Sequence, residues 1–274
     1  MANMTTTLRL PTDFTDGQQR LILKYLVEGR QALNQAEWRL ILDGFDLLHQ
    51  ALIVTQEKTL TFRQVYQEQV DCPFADLYLA ELLKLPDTTR GYPSLRARMA
   101  RVITKRLRHD IPETNLPLAY CLYFWESFAA GYAFEVEIYR DLTAAGIDFE
   151  AHDIRNRHAR RSPYDLKVLG LQGDIKTSLY FLYVRRGRGL PHDFYITRFY
   201  QGYRQRTLVV MLKPKAWDQI DGDTVKASLE KAARHFPLPA TAKLEAGTIV
   251  IVDYEVWKQK VLRRQQRQHI GEQQ

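Results

Sequence analysis

The chain has 274 residues, 45% of them hydrophobic, which is enough for one large domain or two modest ones with a core that needs no covalent staples. Its two cysteines, Cys72 and Cys121, lie far apart, excluding a disulfide framework or a thiolate metal knuckle and pointing to a reducing compartment. The formal net charge of +7 favours an anionic partner.

In chain order, the opening MANMTTTLRLPTDF lacks an uninterrupted apolar core of signal-peptide length, and nowhere do eighteen apolar residues run together. The expectation is a cytoplasmic protein that makes no membrane contact. From about Asp16 to His109 apolar residues recur at three- and four-residue spacing in QQRLILKYLVEG, EWRLILDGFDLLHQALIV and PSLRARMARVITKRLRH, which predicts a helical region. Asp16-Gly17 precedes the first helix, Gly29 follows it, and KLPDTTRGYP reads as a turn-rich break before the basic segment. Arg96, Arg98, Arg101, Lys105, Arg106 and Arg108 form either a nucleic-acid groove or a solvated helix face.

The prolines of DIPETNLP place a boundary near residue 115, dividing a helical region (1–115), suited to target recognition or dimerisation, from a second domain (116–274). A long helix, LAYCLYFWESFAAGYAFEVEIYRDLTAAG, ends at Gly146 as a C′ glycine. Strand-like runs follow in IDFEAHDI, SPYDLKV, GDIKTSLYFLYV, HDFYITRFY and RTLVVMLK. Then come a helix, DTVKASLEKAARHF, a strand, GTIVIVDYE, and a basic helix, VWKQKVLRRQQRQH, so the order of elements predicts a mixed α/β core.

The basic character is concentrated in this core. Between Arg155 and Arg206, ten arginines and two lysines stand against three aspartates, a local net of +9, while the rest of the chain sums to −2. Within that stretch SPYDLKVLGLQGDIKTS reads as a hairpin. With Leu169-Gly170 as its loop, Asp165 faces Asp174; with Gly170-Leu171 as a type II′ loop, Asp165 faces Lys176. Either register puts Asp165, Asp174 and Lys176 on one face and Leu166, Val168 and Ile175 on a face suited to a core. Two acids crowded on one face need a cation between them; Lys176 supplies part of it, and a divalent ion such as Mg²⁺ would supply it better.

YDLKVLGLQGDIKTS resembles the active-site hairpin of the PD-(D/E)XK nuclease superfamily, in which an acid on one strand is followed on the next by acid-X-Lys. The resemblance covers roughly Gly131 to Lys213. Its acids are Asp165 and Asp174, its lysine is Lys176, and Ile175 fills the X position. GYAFEVEIYRDLTAAGI is similar to the helical segment that places a glutamate, here Glu135, before the first strand. The motif's proline is here Pro163, one residue further from the acid, and the gap between the acids is short. Asp153 followed by Asp165-Leu166-Lys167 is an alternative assignment of the same letters.

The resemblance implies a restriction-endonuclease-like core, a central mixed sheet flanked by helices. It further implies Mg²⁺, with Mn²⁺ able to substitute, bound by Asp165, Asp174, Glu135 and the backbone carbonyl of Ile175. Lys176 would orient or activate the attacking water. DNA is the expected substrate, without RNA being excluded, and a homodimer or protein partner is implied because many such nucleases pair to cut both strands. Phosphate contacts are expected from Arg155, Arg157, Arg160, Arg161, Arg185, Arg186 and Arg188. In DFYITRFYQGYRQR, Tyr200 and Tyr203 are expected to pack rather than hold bases, and Gln201, Arg204 and Gln205 to support the site from a second helix, Arg204 also touching nucleic acid.

His152 and His158 lack zinc-site spacing, so no ligand role is expected of them. No Walker loop or nucleophile-elbow serine is present. Glu126 and Glu137 point away from Glu135 by helix geometry and read as structural or solvated. Two other readings use the same residues: a non-cleaving nucleic-acid-binding subunit of a larger assembly, and a metal-dependent RNase of a defence system.

Overall fold

The computed structural model describes residues 7–68, 72–84, 88–107, 115–152, 162–179, 182, 190–201, 204–212, 224–225, 227–229, 231, 240–244 and 247–271. It divides into two compact units, Met1–Ala129 and Ala130–Gln274.

The first unit contains β1 (Thr7–Arg9), α1 (Asp16–Glu28), α2 (Gln35–Leu48), β2 (Leu52–Val54), β3 (Thr59–Thr61), α3 (Phe62–Tyr66), α4 (Cys72–Leu82) and α5 (Thr88–Leu107). It ends in the first half of α6 (Asn115–Ala144). Helix α1 begins one residue after Thr15, whose side chain and that of Gln18 cap one another's backbone, so Asp16 and Gly17 lie in the first turn and not before it. Helix α2 stops at Leu48 instead of continuing through Val54. Leu52, Ile53 and Val54 leave the helix because the β-branched side chains of Ile53 and Val54 favour extended backbone, and the three pair antiparallel with both β1 and β3. The stretch from Thr88 is helical rather than turn, with Pro93 inside α5. Arg96 is not a groove residue: it pairs with Glu126, which also accepts from the buried Tyr25 hydroxyl. Arg98 pairs with Glu81, while Arg98, Arg101, Val102 and Lys105 line a shallow groove. Arg108 lies outside the described residues.

The second unit contains the rest of α6 and a seven-stranded sheet. Its strands are β4 (Glu150–Ala151), β5 (Leu166–Val168), β6 (Leu171–Lys176), β7 (Phe194–Gln201), β8 (Arg204–Leu212), β9 (Ala240–Leu244) and β10 (Gly247–Asp253), in spatial order β4-β5-β6-β7-β8-β10-β9. Neighbours are antiparallel except β6 and β7, which run parallel. The class is therefore α/β with a mixed sheet and helices. Gln201, Arg204 and Gln205 sit in the β7–β8 hairpin and not on a second helix, since the strand built on the apolar run of RTLVVMLK extends back to Arg204. Tyr200 does not pack: it is 55% exposed. Tyr203 and most of DTVKASLEKAARHF lie outside the described residues.

Phe134, Ile138 and Leu142 form a stripe at four-residue spacing on α6, and Tyr254, Trp257 and Val261 form another on α7 (Tyr254–Gly271). Both stripes pack with the sheet residues Leu166, Val168, Ile175, Phe194, Ile196, Val209 and Val252 in one core. Ile175, Ile196, Val209 and Val252 stand level across four adjacent strands. Each such side chain contributes roughly 1.5–3 kcal/mol by leaving water. Helix α6 ends in a Schellman motif: Gly146 adopts φ +69°, the Ile147 amide donates to Leu142 and the Gly146 amide to Thr143. That stop turns the chain back into β4 at the sheet edge.

Candidate active site

The β5–β6 hairpin decides what faces what. Leu166 pairs with Gly173 and Val168 with Leu171, leaving Leu169-Gly170 as a two-residue loop. Both loop residues have positive φ, +53° and +79°, as a type I′ turn requires. A leucine in this region is strained, and its side chain packs on the core, which offsets the cost. This register continues to place Asp165 opposite Asp174, the first of the two alternatives.

Gly173 is forced by its neighbour. A Cβ there would come within 2.2 Å of the Phe194 ring, so the ring can cover the strand only because no side chain intervenes.

Four of the predicted residues come together. Asp165 precedes β5 and its Oδ2 accepts from the Ile175 amide at 2.7 Å. Asp174, 8% exposed, accepts from Lys176 Nζ at 2.6 Å through Oδ1, and its Oδ2 lies 3.7 Å from His192 Nε2. Glu135 reaches the site from α6, one residue after Phe134 anchors the helix to the core. Its Oε2 is buried with no hydrogen-bond partner among the described residues. Ile175 meets Asp165 through its amide, and its side chain is a core residue.

The charges are strongly interdependent. Burial pushes the Glu135 carboxyl up to about 7, with the Asp174 charge adding to it and Lys176 opposing. Asp165 is pushed up to about 9 by burial, by its hydrogen bond to Asp174 and by the charges of Asp174 and Glu135. Asp174 moves the other way: burial would raise it, but the Asp165 hydrogen bond and Lys176 hold it below the usual carboxylate range. The pair thus holds on to one proton at neutral pH, and its negative charge faces the Lys176 ammonium. Lys176 is pushed up, its burial outweighed by Asp174 and Asp165, so it stays an ammonium ion.

Sequence reasoning missed His152 and Tyr139. One ligand atom from each of Glu135, His152 and Asp165 lies within 4.8 Å of the other two. The His152 side chain is 7% exposed, and Tyr139, one turn after Glu135 on α6, donates its hydroxyl to the Asp165 carbonyl at 2.8 Å. Lys167 pairs with Glu150 at 3.2 Å, away from the acids, which favours Lys176 over Lys167 as the site's lysine. Asp153 lies outside the described residues, as do Arg155, Arg157, Arg160, Arg161, Arg185, Arg186 and Arg188. Arg204 opens β8 opposite Gln201. Glu137 is exposed and pairs with Arg198, whose guanidinium lies over the Phe134 ring, and Glu126 belongs to the first unit's core.

No family model, curated protein or solved structure matches the chain. No helix among the described residues is long and apolar enough to cross a membrane.

Proposed function

We propose that the protein is a metal-dependent nuclease that hydrolyses phosphodiester bonds in DNA, with a restriction-endonuclease-like core. The observation that carries the reading is the convergence of Glu135, Asp165, Asp174 and Lys176 from a helix and two paired strands. The sheet order supports the core assignment, because the β4-β5-β6 meander is followed by a crossover to the parallel strand β7.

A divalent ion, Mg²⁺ or Mn²⁺, fits the donors present. Glu135 Oε2 is a buried oxygen with no hydrogen-bond partner among the described residues, and the Asp165 carboxyl lies within ligand reach of it. Glu135 and Asp165 would hold the ion, with Asp174 beside them. When bound, such an ion activates water and neutralises charge on phosphoryl oxygens. The Asp165–Asp174 pair must give up its proton for this, and Asp174 keeps the Lys176 ammonium fixed over the site. Lys176 is too basic to take a proton from water at neutral pH. Its role is to hold the substrate phosphate and steady the attacking water. The net positive charge from Arg155 to Arg206 supplies contacts to the DNA backbone that carry no sequence information.

The test is cleavage of a panel of single-stranded, duplex and branched DNA and of RNA, with Mg²⁺ or Mn²⁺. Wild type is compared with Asp174→Ala and Lys176→Ala, folding being checked by circular dichroism. Cleavage of DNA that drops by about 10²-fold or more in both folded variants is expected. A wild type that binds DNA but cuts nothing refutes the reading and leaves a binding subunit; cleavage confined to RNA refutes the DNA assignment.

A further inference from the structure

We infer that His152 is a metal ligand and that it makes the centre select first-row transition ions over Mg²⁺. The inference rests on reading the site as a metal centre and adds the identity of the ion.

The placement of His152 follows from strand pairing. Glu150 pairs with Lys167 and Ala151 with Leu166, which brings His152 level with Asp165, where its amide donates to the Asp165 carbonyl at 3.3 Å. Its Nδ1 lies 3.2 Å from the same carbonyl oxygen. A carbonyl only accepts, so Nδ1 carries a hydrogen, and in the neutral ring that binds metals Nε2 presents its lone pair. The Tyr139 hydroxyl donates to that carbonyl too, and the Tyr139 ring meets the imidazole edge-on at 88°. These supports fix the imidazole plane as the outer shell of a metal site does.

Nε2 then faces Glu135 Oε2 at 3.7 Å. A buried carboxylate oxygen and an imidazole nitrogen so placed, with an Asp165 ligand atom within 4.8 Å of both, can share one cation. A shared proton calls for a separation of about 2.7–3.2 Å. The observed gap instead suits two atoms each about 2.0–2.2 Å from one ion.

The donor set names the ion. Mg²⁺ takes oxygen ligands and gains little from an imidazole, whereas ions from Mn²⁺ to Zn²⁺ gain affinity from it. Mn²⁺ is the weakest binder of that series and therefore the most stringent probe.

Mn²⁺ and Mg²⁺ are titrated calorimetrically, at one fixed pH, into the full chain and into His152→Ala and His152→Asn. Pulsed electron paramagnetic resonance of the Mn²⁺-loaded wild type reads nitrogen coupling directly. Wild type is expected to bind Mn²⁺ at least about tenfold more tightly than Mg²⁺, with nitrogen coupling. Both variants are expected to lose about 10- to 100-fold in Mn²⁺ affinity while Mg²⁺ affinity changes little. Equal affinity for the two ions, absence of nitrogen coupling, or a folded His152→Ala that keeps the preference overturns the inference. The wild-type spectrum decides even if a variant fails to fold. DNA cleavage measured in parallel separates the two readings: ion selection without cleavage sinks the nuclease alone, and Mg²⁺-driven cleavage without nitrogen coupling sinks the His152 ligand alone.

Discussion

Replacing Glu135 by glutamine is expected to stabilise the metal-free protein while removing its ion binding. Glu135 is 13% exposed in its side chain, its Oε2 has no hydrogen-bond partner among the described residues, and burial holds its carboxyl at about 7 against an ordinary 4.5. At 1.4 kcal/mol per tenfold change in ionisation, the fold pays roughly 3 kcal/mol to keep that group. Between pH 4.5 and 7 the folded state holds a proton that the unfolded state has released, so stability falls as pH rises through that window. Glutamine has the same shape and no such proton, and its amide can donate to His152 Nε2. In urea denaturation of chelator-treated protein, Glu135→Gln should match wild type near pH 4.5 and exceed it by roughly 1–3 kcal/mol at pH 8. Saturating Mn²⁺ should reverse the order, because an ion at a thousand times its Kd stabilises the native state by about 4.1 kcal/mol and only wild type binds it. A variant less stable than wild type at every pH, or a difference that does not change with pH, refutes the argument.

Ion binding should strengthen as pH rises from 6 to 8, by up to about tenfold per pH unit for each proton displaced, because Asp165 at about 9 and Glu135 at about 7 must both be ionised to act as ligands. Calorimetry in two buffers of different ionisation enthalpy should show proton release; a pH-independent affinity counts against it. Gly173→Ala should destabilise the second unit by roughly 1–3 kcal/mol, since the new methyl group would meet the Phe194 ring, 1% exposed and packed near Trp257. An unchanged urea midpoint would show that the ring can swing aside.

Much of this site can be read in the sequence because local rules govern it. The stop of α6 at Gly146 follows from a glycine behind an amphipathic helix, and the shared face of Asp165, Asp174 and Lys176 follows from the two-residue period of strands. The register does not follow, because Leu169 occupies a positive-φ position that its own preference disfavours and only packing against the core compensates. The short strands β1 to β3 escape for a related reason: three residues carry too little period to announce themselves, and they are extended because of partners distant in sequence.

His152 shows why spacing rules fail at such a place. Ligand spacing identifies donors carried by one helix or one turn. Here the donors come from α6, from the start of β5 and from the end of β4, so no fixed interval joins Glu135, His152 and Asp165. The signal lies in the pairing of strands. Once Glu150 stands opposite Lys167, as their charges favour, Ala151 meets Leu166 and His152 must stand beside Asp165 on the acidic face. The charge pair at the sheet edge thus fixes the register that brings the imidazole to the carboxylates, and a change that slipped β4 by one residue would turn His152 away from them.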